Sequence, residues 1–320
     1  MNYNKIFSKR NAATAIGCLG LVMWAFSALL TTIVRELPIF EILSIVFTIS
    51  VSITAFKLTI KKEWHKLKQP VLLWIIGVIG VYGNDVLYIS AFKHAPSVQA
   101  DLINYLWPIL VILFAGCLPK EKFTIKHIVA GLLGFAGVYI LITHGKGLAG
   151  FKMQYLWGYV LALLDAIVWA LYTLVARHYN KKPVEMMGVY CGIGGLISFM
   201  LHMHMETTAL PSIDQWVALI IMGFTTQGLA YFFWDYGVKG GNFKLLSVLS
   251  YGTPIASVAL LVLFGVTKNS GNLMIACLLV TLSGVLGGMN LSALLTWMGK
   301  QLMEYQYYFK SLFTLSAPTK

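Results

Sequence analysis

Apolar positions in this chain come in long runs rather than in stripes. Ten runs of about 20 residues occupy 13–34, 39–60, 71–92, 97–118, 126–143, 155–178, 184–204, 215–237, 243–265 and 272–296, divided by short stretches of charge, proline and glycine. At 1.5 Å per residue, such a run spans the roughly 30 Å hydrocarbon core of a bilayer. A helix apolar on every side has no face to offer water. The pattern predicts an all-α membrane protein with ten transmembrane helices. Lys5, Lys9 and Arg10 precede the first run as they would in a secretory leader. That run is too long for a leader's apolar core and lacks a small-residue cleavage site, so it reads as a retained first helix.

Composition agrees. Of 320 residues, 58% are hydrophobic and 11% charged, with a mean hydropathy of +0.76; soluble domains carry roughly a quarter charged residues. The net charge of +12 would suggest nucleic acid in a soluble protein, but here the basic residues sit between apolar runs, where they vote on orientation. With the N-terminus inside, nineteen of the 24 Lys and Arg fall on the cytoplasmic face, and only Arg35, Lys93, Lys146, Lys152 and Lys268 fall outside. Both termini are therefore expected in the cytoplasm, with the chain in a bacterial inner membrane and no nucleic-acid partner. Cys18, Cys117, Cys191 and Cys277 are scattered singly with no ligand spacing, which points to neither disulfides nor a zinc site. His202 and His204, two apart on a helix, point away from each other. No metal or cofactor is expected.

The chain also matches itself. Trp24-Ala25 pairs with Trp169-Ala170, Lys93 with Lys239, Tyr105 with Tyr251, Pro108 with Pro254 and Gly137-Val138 with Gly284-Val285, all at offsets of 145 to 147. Single matches are cheap; several in order at a nearly constant offset are not. The expected organisation is a cytoplasmic N-terminus (1–12), two five-helix repeats (13–150 and 151–296) and a cytoplasmic tail (297–320). Five is odd, so the second repeat runs opposite to the first. That is the inverted repeat of secondary transporters, whose substrate site lies between the halves near the bilayer midplane. The oligomeric state is not encoded in any of these features.

Candidate chemistry concentrates near the matched prolines. Asn104-Tyr105-Leu106-Trp107-Pro108 faces Ser250-Tyr251-Gly252-Thr253-Pro254 across the repeat. Proline lacks an N–H and clashes with the turn before it, and a freed carbonyl inside a membrane needs protein or a wet cavity. One such kink serves packing as readily as a site; two in equivalent positions favour the site. Around them lie Tyr82, Tyr88, Trp169, Tyr172, Tyr231 and Trp234, aromatic groups within spans rather than at their ends. Rings of this kind would line a cavity for flat, apolar solutes. Asp85, Asp101 and Asp165 also fall inside spans, where carboxylates are costly. Each reads either as a proton or ammonium site, or as a structural group paired with a hydroxyl, Lys93 or water. Asp235 reads as an interfacial residue. Gly131, Gly134, Gly137, Gly192, Gly194, Gly195, Gly284, Gly287 and Gly288 read as close helix packing. No HExxH, GxSxG, Walker or DDxxD motif occurs, so no enzyme is predicted and any energy input comes from gradients.

At these residues the sequence resembles the EamA family of the drug/metabolite transporter superfamily, and within it the bacterial aromatic amino acid exporters. The resemblance rests on 102–115 (LINYLWPILVILFA), the Ala230-Tyr231-Phe232-Phe233-Trp234 element, Gly241-Asn242, 250–254 (SYGTP) and 167–172 (IVWALY); it covers most of 13–296. It implies a carrier exporting amino acids, aromatic ones preferred, by alternating access. It also implies a cavity lined by Asn104, Tyr105, Trp107, Trp169, Tyr231, Trp234, Ser250 and Tyr251. Asp101 and Asp165 depart from the family pattern, where small residues stand, and point to a more cationic substrate. Uptake or efflux of another metabolite or drug is the competing reading, with an intramembrane enzyme or lipid-handling scaffold behind it.

Overall fold

The computed structural model describes residues 3–116, 125–178 and 182–288. Cys117, Lys120, Lys122, Lys181, the last residues of the tenth run and the expected tail with Lys300, Lys310 and Lys320 lie outside the described residues. Among the described residues there is no strand. The first run forms α1 (Tyr3–Ala25) and α2 (Ser27–Val34), and the second forms α3 (Ile39–Lys61). The third forms α4 (Val71–Val78) and α5 (Asn84–His94) on either side of a π-turn at Ile79–Gly83. The fourth is α6 (Ser97–Asn104) and α7 (Trp107–Gly116), and the fifth α8 (Ile125–Thr143). In the second half, α9 (Leu156–His178) and α10 (Met186–Met205) precede α11 (Ile213–Phe224) and α12 (Ala230–Gly240), which flank a π-turn at Thr225–Leu229. Then come α13 (Phe243–Ser250), α14 (Thr253–Leu263) and α15 (Gly271–Gly288). Among the described residues, seven stretches are long and apolar enough to cross a membrane unaided. The broken pairs α6–α7 and α13–α14 and the shorter apolar part of α15 fall outside that set.

Both prolines expected to kink their helices coincide with full breaks. The helix stops, turns through Leu106 N–H to Ile103 O (3.0 Å) and Gly252 N–H to Leu249 O (3.0 Å), and restarts. Pro108 and Pro254 then occupy the second residue of α7 and α14, where a missing N–H leaves no bond unmade. These turns are equivalent under the repeat, and so are the two π-turns. A π-turn absorbs one extra residue and bends the helix axis. The irregularities of the first half are thus copied in the second.

Packing repeats the exchange. The offset relates α1 to α9, α5 to α12 and α3 to α10. In three dimensions α1 lies along α12, α9 lies along α5, and α3 lies along α10. Each half therefore lends its first helix to the other half. Small residues permit this: a methyl on Gly237 would sit 2.6 Å from the Gly17 Cα, so α1 and α12 touch backbone to backbone. Gly192 and Gly195 receive Val51 and Phe47 of α3, while Gly134 and Gly137 of α8 face Ser283 and Ala276 of α15. Without a hydrophobic drive between helices in lipid, such close fit holds a bundle together. Outward faces carry exposed Phe56, Leu132, Leu196, Phe199, Met203 and Leu278, a coat suited to acyl chains and unsuited to water.

Polar clasps close the two ends of the α3–α10 pair. At one end, Lys57 meets Glu185 at 2.7 Å, just before α10 begins. At the other, Glu206 accepts from the backbone N–H groups of Phe40 (3.1 Å) and Glu41 (3.2 Å), and Glu41 accepts from Ala209 N–H (3.0 Å). A carboxylate there also meets the positive end of the α3 dipole.

Candidate substrate chamber

A cavity of about 70 Å³ lies between the halves. Its walls come from α1 (Leu21, Trp24), α2 (Ser27), α5 (Asn84, Asp85, Tyr88) and the α6–α7 break (Asp101, Asn104, Tyr105, Trp107). The second half supplies Trp169 from α9, Thr226 and Gln227 from the π-turn, Tyr231 from α12, and Thr253 from the start of α14. Each irregularity of the backbone has a use here. The π-turns deliver Gln227 and carry the chain into Asp85 and Tyr231, and the helix breaks deliver Tyr105 and Thr253.

One wall is aromatic. Trp24 stands edge-on to Trp169 at 6.0 Å between ring centroids and edge-on to Tyr231 at 5.7 Å, while Trp169 and Tyr231 lie 5.6 Å apart. Such spacings suit edge-to-face and tilted packing. The Trp24 indole N–H donates to the Thr226 carbonyl at 3.1 Å, which fixes its ring across the interface.

The polar side is acidic. Asp85 accepts from the Tyr231 hydroxyl (3.0 Å) and, at 3.5 Å, from the Gln227 amide. Asp101 accepts from the Ser257 hydroxyl (2.6 Å) and lies 3.4 Å from the Tyr88 hydroxyl. Asp165 stands one layer back, fully buried, where each carboxylate oxygen takes an amide N–H, one from Asn84 and one from Asn104. None of the three forms an ion pair among the described residues. Their partners are hydroxyls and amides, not Lys93. Asp235, by contrast, pairs with Lys239 at 2.5 Å, near the α12 end.

Of the residues singled out from sequence, Tyr88, Asn104, Tyr105, Trp107, Trp169, Tyr231, Asp85 and Asp101 reach the chamber wall. Trp234 does not; it packs behind Trp24 at 5.7 Å. Ser250 and Tyr251 are buried at the α13–α14 break but off the wall. The Tyr251 ring lies over Gly284, where an added methyl would approach to 2.2 Å, so α15 occupies it. Sequence reasoning passed over Trp24, Ser27, Asn84, Thr226, Gln227 and Thr253 as wall residues. For Trp24 a signal existed, since it is the repeat partner of Trp169. For Thr226 and Gln227 the signal was a polar pair inside an apolar run.

Comparison with known proteins adds a family. The family model described as EamA-like transporter family matches twice, over residues 12–143 and again over 156–289, once per half. The chain is 35% identical over 272 residues to the protein named aromatic amino acid exporter YddG of Ancylobacter novellus, covering 85% of this chain and 95% of that one. It is 32% identical over 187 residues to the YddG of Salmonella typhimurium, covering 53% and 59%. A crystal structure aligns with a TM-score of 0.70 at 33% identity, covering 87% of this chain and 96% of that chain. The doubled match, the copied breaks and the chamber between the halves agree, and the chain belongs to the EamA-like transporter family.

Proposed function

We propose that this transporter exports amino acids, aromatic ones preferred, from the bacterial cytoplasm by alternating access. Ten spans with both termini cytoplasmic would place the basic ends of α3, α9 and α12 inside, as the distribution of Lys and Arg requires. The observation that carries the reading is the aromatic wall of Trp24, Trp169 and Tyr231, built from both halves at the chamber. A flat side chain inserted there gains ring contacts from each half at once. The names of the YddG relatives point the same way.

Size sets the mechanism. Pockets that enclose small ligands measure roughly 300–1,000 Å³, and 70 Å³ leaves room for little beyond water. The chamber is therefore narrow as it stands, and in this reading an amino acid is admitted as the halves part. The breaks at Tyr105–Leu106 and Tyr251–Gly252 are natural hinges, since no continuous helix resists bending there. Parting at one end while the opposite clasp holds would expose the chamber to one side at a time.

Flux of labelled phenylalanine from proteoliposomes tests the proposal. Transport above protein-free vesicles, competed by tyrosine and tryptophan and not by alanine, is the expected result. An intact preparation that carries none of the three sinks the aromatic assignment.

A further inference from the structure

The chamber, read above as the substrate site, has a polarity that narrows its substrate further. Its side-chain amide donors are spent inside the protein. The amide N–H groups of Asn84 and Asn104 both go to Asp165, that of Gln227 goes to Asp85, and the Tyr231 hydroxyl also goes to Asp85. The indole N–H of Trp24 is bound to a backbone carbonyl. What faces the space is mostly acceptor. Asp85 and Asp101 present carboxylate oxygens with lone pairs to spare. Asn84 and Asn104 are held by their N–H groups, and their carbonyl oxygens meet no donor among the described residues. The indole N–H groups of Trp107 and Trp169 and the hydroxyls of Ser27, Tyr105 and Thr253 remain, but neutral donors do not balance two carboxylates. No Lys or Arg stands in the wall among the described residues.

A substrate must complete that set. An ammonium brings three donors and a positive charge, and the faces of Trp and Tyr attract it as well. A carboxylate brings only acceptors and a negative charge beside Asp85 and Asp101. Carboxylates inside a membrane are costly and mark substrate or ion pathways, and a cationic substrate would supply the balance here. The aromatic wall and the acidic wall meet at one bond, Tyr231 to Asp85, so a ring and its ammonium can occupy both together.

We propose that the chamber recognises an aromatic primary ammonium, with Asp85 as its counter-ion, and that the substrate's carboxylate is dispensable. Asp101 completes the acceptor set. Asp165 is a positioning residue: it turns the Asn84 and Asn104 carbonyls toward the ligand without touching it. The proposal rests on the reading of the chamber as the transport site and goes beyond amino acids to their decarboxylated amines.

Three probes on one ring separate the possibilities: phenylalanine, phenethylamine without the carboxylate, and 3-phenylpropionate without the ammonium. Each is assayed as labelled flux with the full chain in proteoliposomes. The expected result is transport of phenethylamine at least as fast as phenylalanine, with 3-phenylpropionate at the background of empty vesicles. Movement of phenylalanine but not phenethylamine overturns the ammonium proposal while leaving amino acid export standing. Movement of phenethylamine alone upholds it and ends the amino acid reading. Movement of none removes both. Asp85→Asn, checked for folding by size exclusion and thermal unfolding, is expected to cut phenethylamine flux at least about tenfold, as loss of a charge-assisted bond should. It should also narrow the preference for amine over propionate. An Asp85→Asn protein that lowers all fluxes alike, with the preference intact, overturns the counter-ion role.

Discussion

Tyr231 donates its hydroxyl to Asp85 across 3.0 Å, and the two residues stand 146 apart, at the same position in the two halves. Repeat partners can touch only where the halves meet. Trp24 and Trp169 touch in the same way, 6.0 Å between rings. All four residues line the chamber, so the symmetry of the halves and the proposed binding site share one place.

Removing that bond has a calculable effect. Tyr231→Phe keeps the ring and takes away a donor, leaving a buried carboxylate less satisfied by about 1–3 kcal/mol. We expect a lower unfolding midpoint in detergent and a several-fold slower aromatic flux. Unchanged flux and midpoint would show that the bond is incidental.

The wall can be told from what lies behind it. Trp169→Ala removes a ring that lines the space, and ring pairs contribute about 0.5–1.5 kcal/mol beyond burial. The half-saturating concentration of an aromatic substrate should rise about two- to tenfold. Trp234→Ala leaves the wall in place, and its rise should stay below about twofold on the same scale. Competition assays rank the two, and the reverse order contradicts the geometry.

Most of the scaffold could be read before any coordinates. Long apolar runs fixed the helices, because lipid demands both length and self-satisfied backbone, and the repeat survived as matched prolines and tryptophans. Pro108 and Pro254 marked real breaks because proline's lost N–H is local chemistry. The two π-turns left no such mark. An extra residue absorbed by a helix changes hydrogen bonding without demanding a particular side chain, so Gln227 went unnoticed as a wall residue. Tyr251 failed differently: it matches Tyr105 in the repeat, yet α15 packs Gly284 against its ring. Repeat partners share a backbone position, but their neighbours differ.

Helix contact through glycine gives a stability prediction independent of transport. A side chain at Gly237 would collide with the Gly17 backbone, which has no rotamer to retreat into. Gly237→Val should separate α1 from α12, at a cost of about 1–3 kcal/mol or more for overpacking. Yield and thermal midpoint in detergent should both fall. Gly271→Ala, where an added methyl meets nothing within 4 Å, is the control expected to match the parent.

The two clasps on the α3–α10 pair should act in opposite senses. Lys57 holds Glu185 at one end, and Glu206 holds the N-terminus of α3 at the other. If access alternates, each clasp stabilises closure of its own end and so favours opening of the far one. Glu206→Gln removes a negative charge from a helix N-terminus, a change of about 0.3–1 kcal/mol, enough to shift two states by about two- to fivefold. Lys57→Met leaves the buried Glu185 without its cation and loosens the opposite end. A cysteine placed in the chamber by Ser27→Cys, with the native cysteines replaced by alanine, reports the outcome through a membrane-impermeant maleimide applied from either side. Glu206→Gln should raise labelling from the Glu206 end, and Lys57→Met from the Lys57 end. Both variants raising labelling from one side would mean that the clasps do not gate the chamber, and the hinge at the paired breaks would then need another lock.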